Sequence, residues 1–290
     1  MNKIKVHGAL FTVALIYGAN YTIAKDVMET LPPLAVIIWR IGGAGLLFWL
    51  LHSITVKEKI QSKKDYLRLL LCAIFGVATN QIMFLKGLSL TTEINASVIM
   101  TSSPILVLVA SSIILKEKIT GLKTLGILLG GFGAFMMIGG TEFEFATKTA
   151  KGDVFILINA SSYALYLVLV KPLMARYKAL TITKWLFFFG FIIASPFCIE
   201  QFNTVAWAAV SWPVYAGLAF VVLGTTFAAY LLNAWSLGFV NPSVVGAYIY
   251  LQPILATSFA LAWGRENTLT LEKVGFGLLI FIGVYLVSKK

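Results

Sequence analysis

The chain has 290 residues, of which 59% are hydrophobic and 12% charged, with a mean hydropathy of +0.89. Average soluble domains carry about 25% charge, so a soluble globule is excluded and a polytopic membrane protein is implied. The net charge of +11 raises the question of an acidic partner, but the loops account for it below without nucleic acid.

A membrane helix needs roughly 20 apolar residues. Ten such stretches are predicted, at 6–24, 34–52, 66–87, 94–115, 122–140, 153–171, 182–199, 212–236, 243–263 and 271–288. The first follows Lys3 and Lys5, as a signal peptide would. Its length and the many similar runs after it make it a membrane helix instead. Breaks fall at Pro32-Pro33, at the charged run KEKIQSKKD (57–65), at LKEKITG (115–121) and at TEFEFATKTAKGD (141–153). With the N-terminus in the cytoplasm, inner loops and helix ends hold 16 of the 23 basic residues. The positive-inside rule then gives a multi-pass protein of the cytoplasmic (inner) membrane with both termini cytoplasmic. The same bias explains the basic charge.

The chain is built twice. Pro104 is followed 13 residues later by Glu117 and 9 after that by Gly126, and Pro253, Glu266 and Gly275 repeat that spacing. Tyr17 and Tyr163, Trp39 and Trp185, and Asn95 and Asn241 are each 146 apart. A three-residue insertion after Ser243 reconciles this with the 149 separating the later pairs. The expected fold is all-α, ten transmembrane helices in two five-helix repeats, 6–140 and 152–288. Five is odd, so the second repeat enters from the opposite side and the two are inverted. Inverted repeats suit a secondary transporter, because rocking one against the other alternates the open side.

These residues also carry a family resemblance. SSPILVLVASSIILKEKITGLKTLGILLGGFGAF and YLQPILATSFALAWGRENTLTLEKVGFGLLIFIGV each pair a penultimate-helix proline with a turn glutamate and stepped glycines, and WRIGGAGLLF (39–48) looks like a second helix of the same kind. The chain resembles the EamA repeats of the drug/metabolite transporter superfamily over nearly its whole length. The resemblance implies export of small metabolites, amino acids or related compounds first. It also implies a cavity between helices one to four and six to nine, with five and ten peripheral.

The candidate site follows from polar residues inside apolar helices, which are costly against lipid. Tyr17, Asn20 and Tyr21 share a face of the first helix, and Asn159, Tyr163 and Tyr166 one of the sixth. Asn80 and Gln81 in the third helix, Asn233 and Trp235 in the eighth, and Tyr248 and Gln252 in the ninth join them. Each is a substrate contact or an interhelical hydrogen bond. Arg40, deep in the second helix, is the sharpest. It either snorkels or pairs with Asp26, Glu29 or Glu93, or it docks a carboxylate or phosphate together with Lys86.

Pro104 and Pro253 are expected flex points, each removing a backbone hydrogen bond. Glu117 and Glu266 are expected near the starts of the fifth and tenth helices, where the dipole favours a carboxylate. There they are structural groups or gating pairs, Glu117 with Thr120 as the helix cap and Lys116, Lys118 or Arg265 as ionic partners. Gly126, Gly130, Gly133, Gly275 and Gly283 are read as close helix contacts, within the monomer or across a homodimer. Cys72 and Cys198 read as core residues. All 12 acids lie in loops or at helix ends, so a buried proton relay has little support, while exchange, facilitated diffusion or a rim acid such as Glu93 or Asp153 stay open.

The expected partners are a small-molecule metabolite and membrane lipid, with no nucleic acid, no cofactor and no metal. Not an enzyme is the expectation, since no HExxH motif or deep carboxylate pair occurs. A nucleotide-sugar or other phosphorylated-metabolite carrier is the alternative substrate class, and a non-transporting scaffold the alternative outside transport.

Overall fold

The computed structural model describes residues 3–91, 96, 99–137, 150–262 and 271–289. Among the described residues regular structure is helical throughout. We number the rods α1 (Lys3–Thr30), α2 (Pro33–Thr55), α3 (Lys63–Leu90), α4 (Ser103–Ile114), α5 (Gly121–Met137), α6 (Ala150–Met174), α7 (Ala179–Thr204), α8 (Trp212–Leu237), α9 (242–262) and α10 (Leu271–Ser288). Six of them, α1, α2, α3, α6, α7 and α8, are long and apolar enough to cross a membrane, and α4, α5 and most of α10 are shorter apolar helices. Exposed Ile, Leu and Phe side chains such as Ile113, Leu128, Ile192, Phe197 and Leu278 line the outside. Apolar surface of this extent belongs in lipid.

Chain punctuation sets the ends. Pro33 starts α2 in its first turn, where a missing N–H costs nothing, and Ser62 accepts the Lys64 amide at the start of α3. Two rods are interrupted in mid-course by π-helical turns, Ile74–Thr79 in α3 and Val221–Ala228 in α8. A wider turn frees backbone carbonyls, and such turns gather at functional sites. α9 is broken by a 3-10 turn at Tyr248–Tyr250, and α4 is preceded by a turn at 101–102. The proline expectation changes accordingly. Pro104 sits in the first turn of α4 and forfeits no helical hydrogen bond; the break lies just before it. Pro253 likewise follows the 3-10 turn, three residues into the helix Leu251–Ala262.

Packing pairs the rods antiparallel. Along α3 and α6, Gly87 meets Ile156, Asn80 meets Asn159 and Gly76 meets Tyr166. Along α2 and α7, Leu34 N donates to Gln201 Oε1 at one end while His52 lies 3.3 Å from Lys184 Nζ at the other. α5 and α10 are the most intimate pair. A Cβ on Gly126 would come within 2.7 Å of the Gly283 carbonyl, and one on Gly133 within 2.8 Å of the Phe276 carbonyl. Gly130 faces Tyr250 of α9 in the same way. This glycine face is filled by the chain itself. Gly275 departs from the expected pattern, because it opens onto empty space and brings no helix close. α1 packs on α8 and α9, and α6 on α3 and α4.

Candidate functional site

The π-turns build the site. In α8 the Thr226 hydroxyl donates to the Val221 carbonyl (2.7 Å) and accepts from Arg40 Nε (3.2 Å). In α3 the Gly76 carbonyl accepts the Tyr230 hydroxyl (2.6 Å), and the adjacent Phe75 carbonyl accepts Ser162 Oγ (2.7 Å). Asn80 and Asn159 exchange amide-to-carbonyl bonds between α3 and α6, at 3.4 and 2.7 Å. Asn233 Nδ2 reaches the Tyr163 hydroxyl at 3.4 Å. Gln81 buries its carboxamide at the cavity with no hydrogen-bond partner among the described residues.

These groups surround a cavity of about 80 Å³ lined by Tyr17, Asn20, Arg40, Asn80, Gln81, Phe84, Met100, Asn159, Tyr163, Tyr230, Ile249 and Gln252. Room for one water takes about 10–15 Å³ on this measure, so the space admits a few waters or the polar head of a small solute. Arg40 is 5% exposed. Its hydrogen-bond partner among the described residues is Thr226, and the ion pairs found among them do not include it. Neither snorkelling nor a pair with Asp26 or Glu29 describes it, and Glu93 lies outside the described residues. Asn20 Oδ1 and Asn159 Oδ1 are buried acceptors without a donor among the described residues. Together they offer an anion one planar, charged fork and offer donors two neutral oxygens.

Of the residues expected from sequence, Tyr17, Asn20, Arg40, Asn80, Gln81, Asn159, Tyr163 and Gln252 line the cavity. Asn233 stands behind Tyr163 as its hydrogen-bond partner. Tyr166 is fully buried against Gly76, whose missing Cβ makes room for its ring, and lies beside Tyr163 and Tyr230. Trp235 packs edge-on against Phe239, and the Tyr248 hydroxyl is 2.7 Å from His7 Nδ1. Lys86 is half-buried and not in the lining. The side chain of Tyr21 is outside the described set. Sequence reasoning missed Phe84, Met100, Tyr230, Ile249 and the Arg40 anchor Thr226. Thr226, Tyr230 and Asn233 do share one helical stripe at i, i+4, i+7, and that spacing could have found two of them.

A second polar cluster gathers at the end of the molecule holding loops 56–62, 115–120 and 175–178. Glu117 Oε1 accepts from Lys123 Nζ (2.6 Å) and from the Ser243 hydroxyl at the start of α9. Its ionic partner is thus Lys123 rather than Lys116 or Lys118, while Thr120 caps α5 through the Lys123 amide (3.3 Å). Burial pushes the Glu117 carboxyl up, but the bonds from Lys123 and Ser243 outweigh it and hold the group below the ordinary carboxylate range. Nearby, Arg176 grips Asp65 with 2.8 and 3.0 Å contacts, and the Tyr177 hydroxyl adds a third at 2.8 Å. Lys171 Nζ donates to the carbonyls of Leu237 and Val240 that end α8. Glu266 and Arg265 lie outside the described residues. At the opposite end Thr91 donates to Asp153. Among the described residues no group of three His, Cys, Asp or Glu side chains could hold a metal.

Helical rods with a lipid-facing exterior and a polar cavity at depth define a multi-pass membrane protein built to hold a small solute. A family model described as EamA-like transporter family matches the chain twice, over residues 5–139 and 150–289. An uncharacterized transporter of Archaeoglobus fulgidus is 26% identical over 99% of this chain and 98% of its own length. The uncharacterized transporter YyaM of Bacillus subtilis is 24% identical over 99% and 95%. One crystal structure superposes with a TM-score of 0.78 at 17% identity, covering 99% of this chain and 98% of the other, a likeness of fold. The chain belongs to the EamA-like transporter family and is a multi-pass membrane transporter.

Proposed function

We propose that the protein is a secondary transporter that exports small polar or amphipathic metabolites carrying a carboxylate, amino acids or related compounds first. Two inverted five-helix repeats, 6–140 and 152–288, rock around the central cavity in alternating access. The observation that carries this reading is Arg40, a buried guanidinium facing a polar cavity with no described acid opposite it. Such a charge is costly at membrane depth unless an anion visits it.

Several features support the repeat. The family model matches once per half. α2 meets α7 and α5 meets α10 antiparallel, as equivalent helices of inverted units must. The π-turns of α3 and α8 fall at matching points of the two halves. The lining is drawn from both halves, and the ties Asp65–Arg176 and Glu117–Ser243 bridge them at the end that the basic loops assign to the cytoplasm. The other end has Thr91–Asp153 and Leu34–Gln201 across the same seam, so the inner end, which adds an ion pair, is the more firmly held of the two. A phosphorylated-metabolite carrier would need more cations, and Lys86 is not in the lining.

The test compares by mass spectrometry the medium of cells expressing the wild type and Arg40→Ala at matched membrane levels. A carboxylate metabolite that accumulates outside only with the wild type is the expected result. The same accumulation with Arg40→Ala removes Arg40 from the path.

A further inference from the structure

Among the described residues that line the cavity, Arg40 is the single charged one. Its Nε is held by one neutral acceptor, Thr226, and no hydrogen bond between described residues uses its two Nη nitrogens. While the cavity is open to one side, water screens this charge. Any carrier that alternates must pass through a state closed on both sides, where that screening is lost. A buried ion without a partner is strongly disfavoured there. A carboxylate in the cavity changes the balance, since it takes both Nη nitrogens in a bidentate pair, and Asn20 Oδ1 and Asn159 Oδ1 accept from the hydroxyl or ammonium donors of the same solute. The loaded carrier therefore crosses with its charge matched, and the empty one does not. The hydroxyl of Thr226, which holds Nε, is neutral and cannot substitute for an anion.

We propose that the protein is an obligate exchanger of carboxylate-bearing solutes: the halves rock only with a carboxylate on Arg40, so each solute leaving is matched by one entering. This rests on the transport reading and adds to it the mode, set by one residue. Export then proceeds against an incoming carboxylate.

The experiment uses purified full-length protein in liposomes loaded with radiolabelled L-threonine, L-phenylalanine or D-gluconate, in sulfate medium so that no small monovalent anion can stand in. Efflux is measured into medium with and without the same unlabelled compound. For at least one compound, wild-type efflux is expected to be at least about tenfold faster with external compound present, as one tenfold step in rate follows from a modest difference in barrier. Arg40→Leu is expected to bring the ratio close to one. Equal wild-type rates with and without external compound overturn obligate exchange while leaving transport intact. This arm needs no variant and survives a folding failure of Arg40→Leu. A well-folded Arg40→Leu that keeps the wild-type ratio overturns the part assigned to Arg40. No flux of any of the three compounds overturns carboxylate transport itself, and the exchange with it. Threonine or phenylalanine exchange without gluconate exchange shows that the two amide oxygens bind an ammonium, and the reverse shows a net anion as cargo; both support the proposal.

Discussion

At Glu117 two opposing effects act on one carboxyl. Burial favours the neutral acid, and the donors Lys123 and Ser243 favour the anion and win. A carboxyl with a depressed folded value stabilises the fold above its unfolded value and loses that contribution as pH falls through the folded one. The melting temperature of the purified wild type in detergent is therefore expected to fall on the acid side, below the ordinary carboxylate range. Glu117→Gln is expected to cost about 1–2 kcal/mol at neutral pH and to show a flatter acid limb. An acid limb unchanged in Glu117→Gln would assign the loss to other carboxylates. The identity of the residue was readable from the repeat, while its partners were not: Lys123 is six residues on and Ser243 is in the other half.

At the scale of the helix, the α5–α10 contact depends on backbone meeting backbone. A side chain at Gly283 would put Cβ 2.5 Å from the Gly126 carbonyl, and nothing flexible can yield there. Gly283→Leu is expected to destabilise the protein by about 1–3 kcal/mol or more through overpacking, read as a lower melting temperature and lower yield. Gly275→Leu, which meets open space, is expected to behave as the wild type. Equal loss in both variants would mean that helix propensity rather than contact decides. The sequence presents these glycines as one pattern. Which way each faces follows from the rotation of the rod, and the spacing of small residues does not fix it.

Across the whole molecule, polar ties join the halves at both ends: the Arg176–Asp65 ion pair and the Glu117–Ser243 bond at one, and the Thr91–Asp153 and Leu34–Gln201 bonds, without a cation, at the other. A single cysteine at Gln252 is expected to react with a membrane-impermeant maleimide added from outside the cell in the wild-type background. Adding Asp65→Asn and Glu117→Gln weakens the half-exposed Arg176–Asp65 pair and the Glu117–Ser243 bond that span the halves at this end. Their loss takes charge-assisted bonds from the state closed there, so labelling from the cytoplasmic side of inverted vesicles is expected to rise. Cytoplasmic labelling already complete without those changes would reverse the sidedness argued here.

Composition alone decided that the chain lies in a membrane, because so apolar a surface has no soluble solution. Hydrophobic runs and breakers gave most rods to within about six residues, since helix length is fixed by bilayer thickness, while α4 begins at Ser103 behind a turn and not at 94. Apolar rods also pointed to their own polar exceptions, which is why Arg40, Asn20, Asn80 and Asn159 were legible: a lone polar group in such a rod must face inwards. The tertiary structure alone decided which of these meet. It set Thr226 on Arg40 and Tyr230 on the Gly76 carbonyl through two π-turns, and left Lys86, Trp235 and Tyr248 out of the lining. A helix periodicity gives the face of a residue relative to its own rod. The partner across the gap depends on how the rods are rotated and crossed, and that is fixed only when all of them pack together.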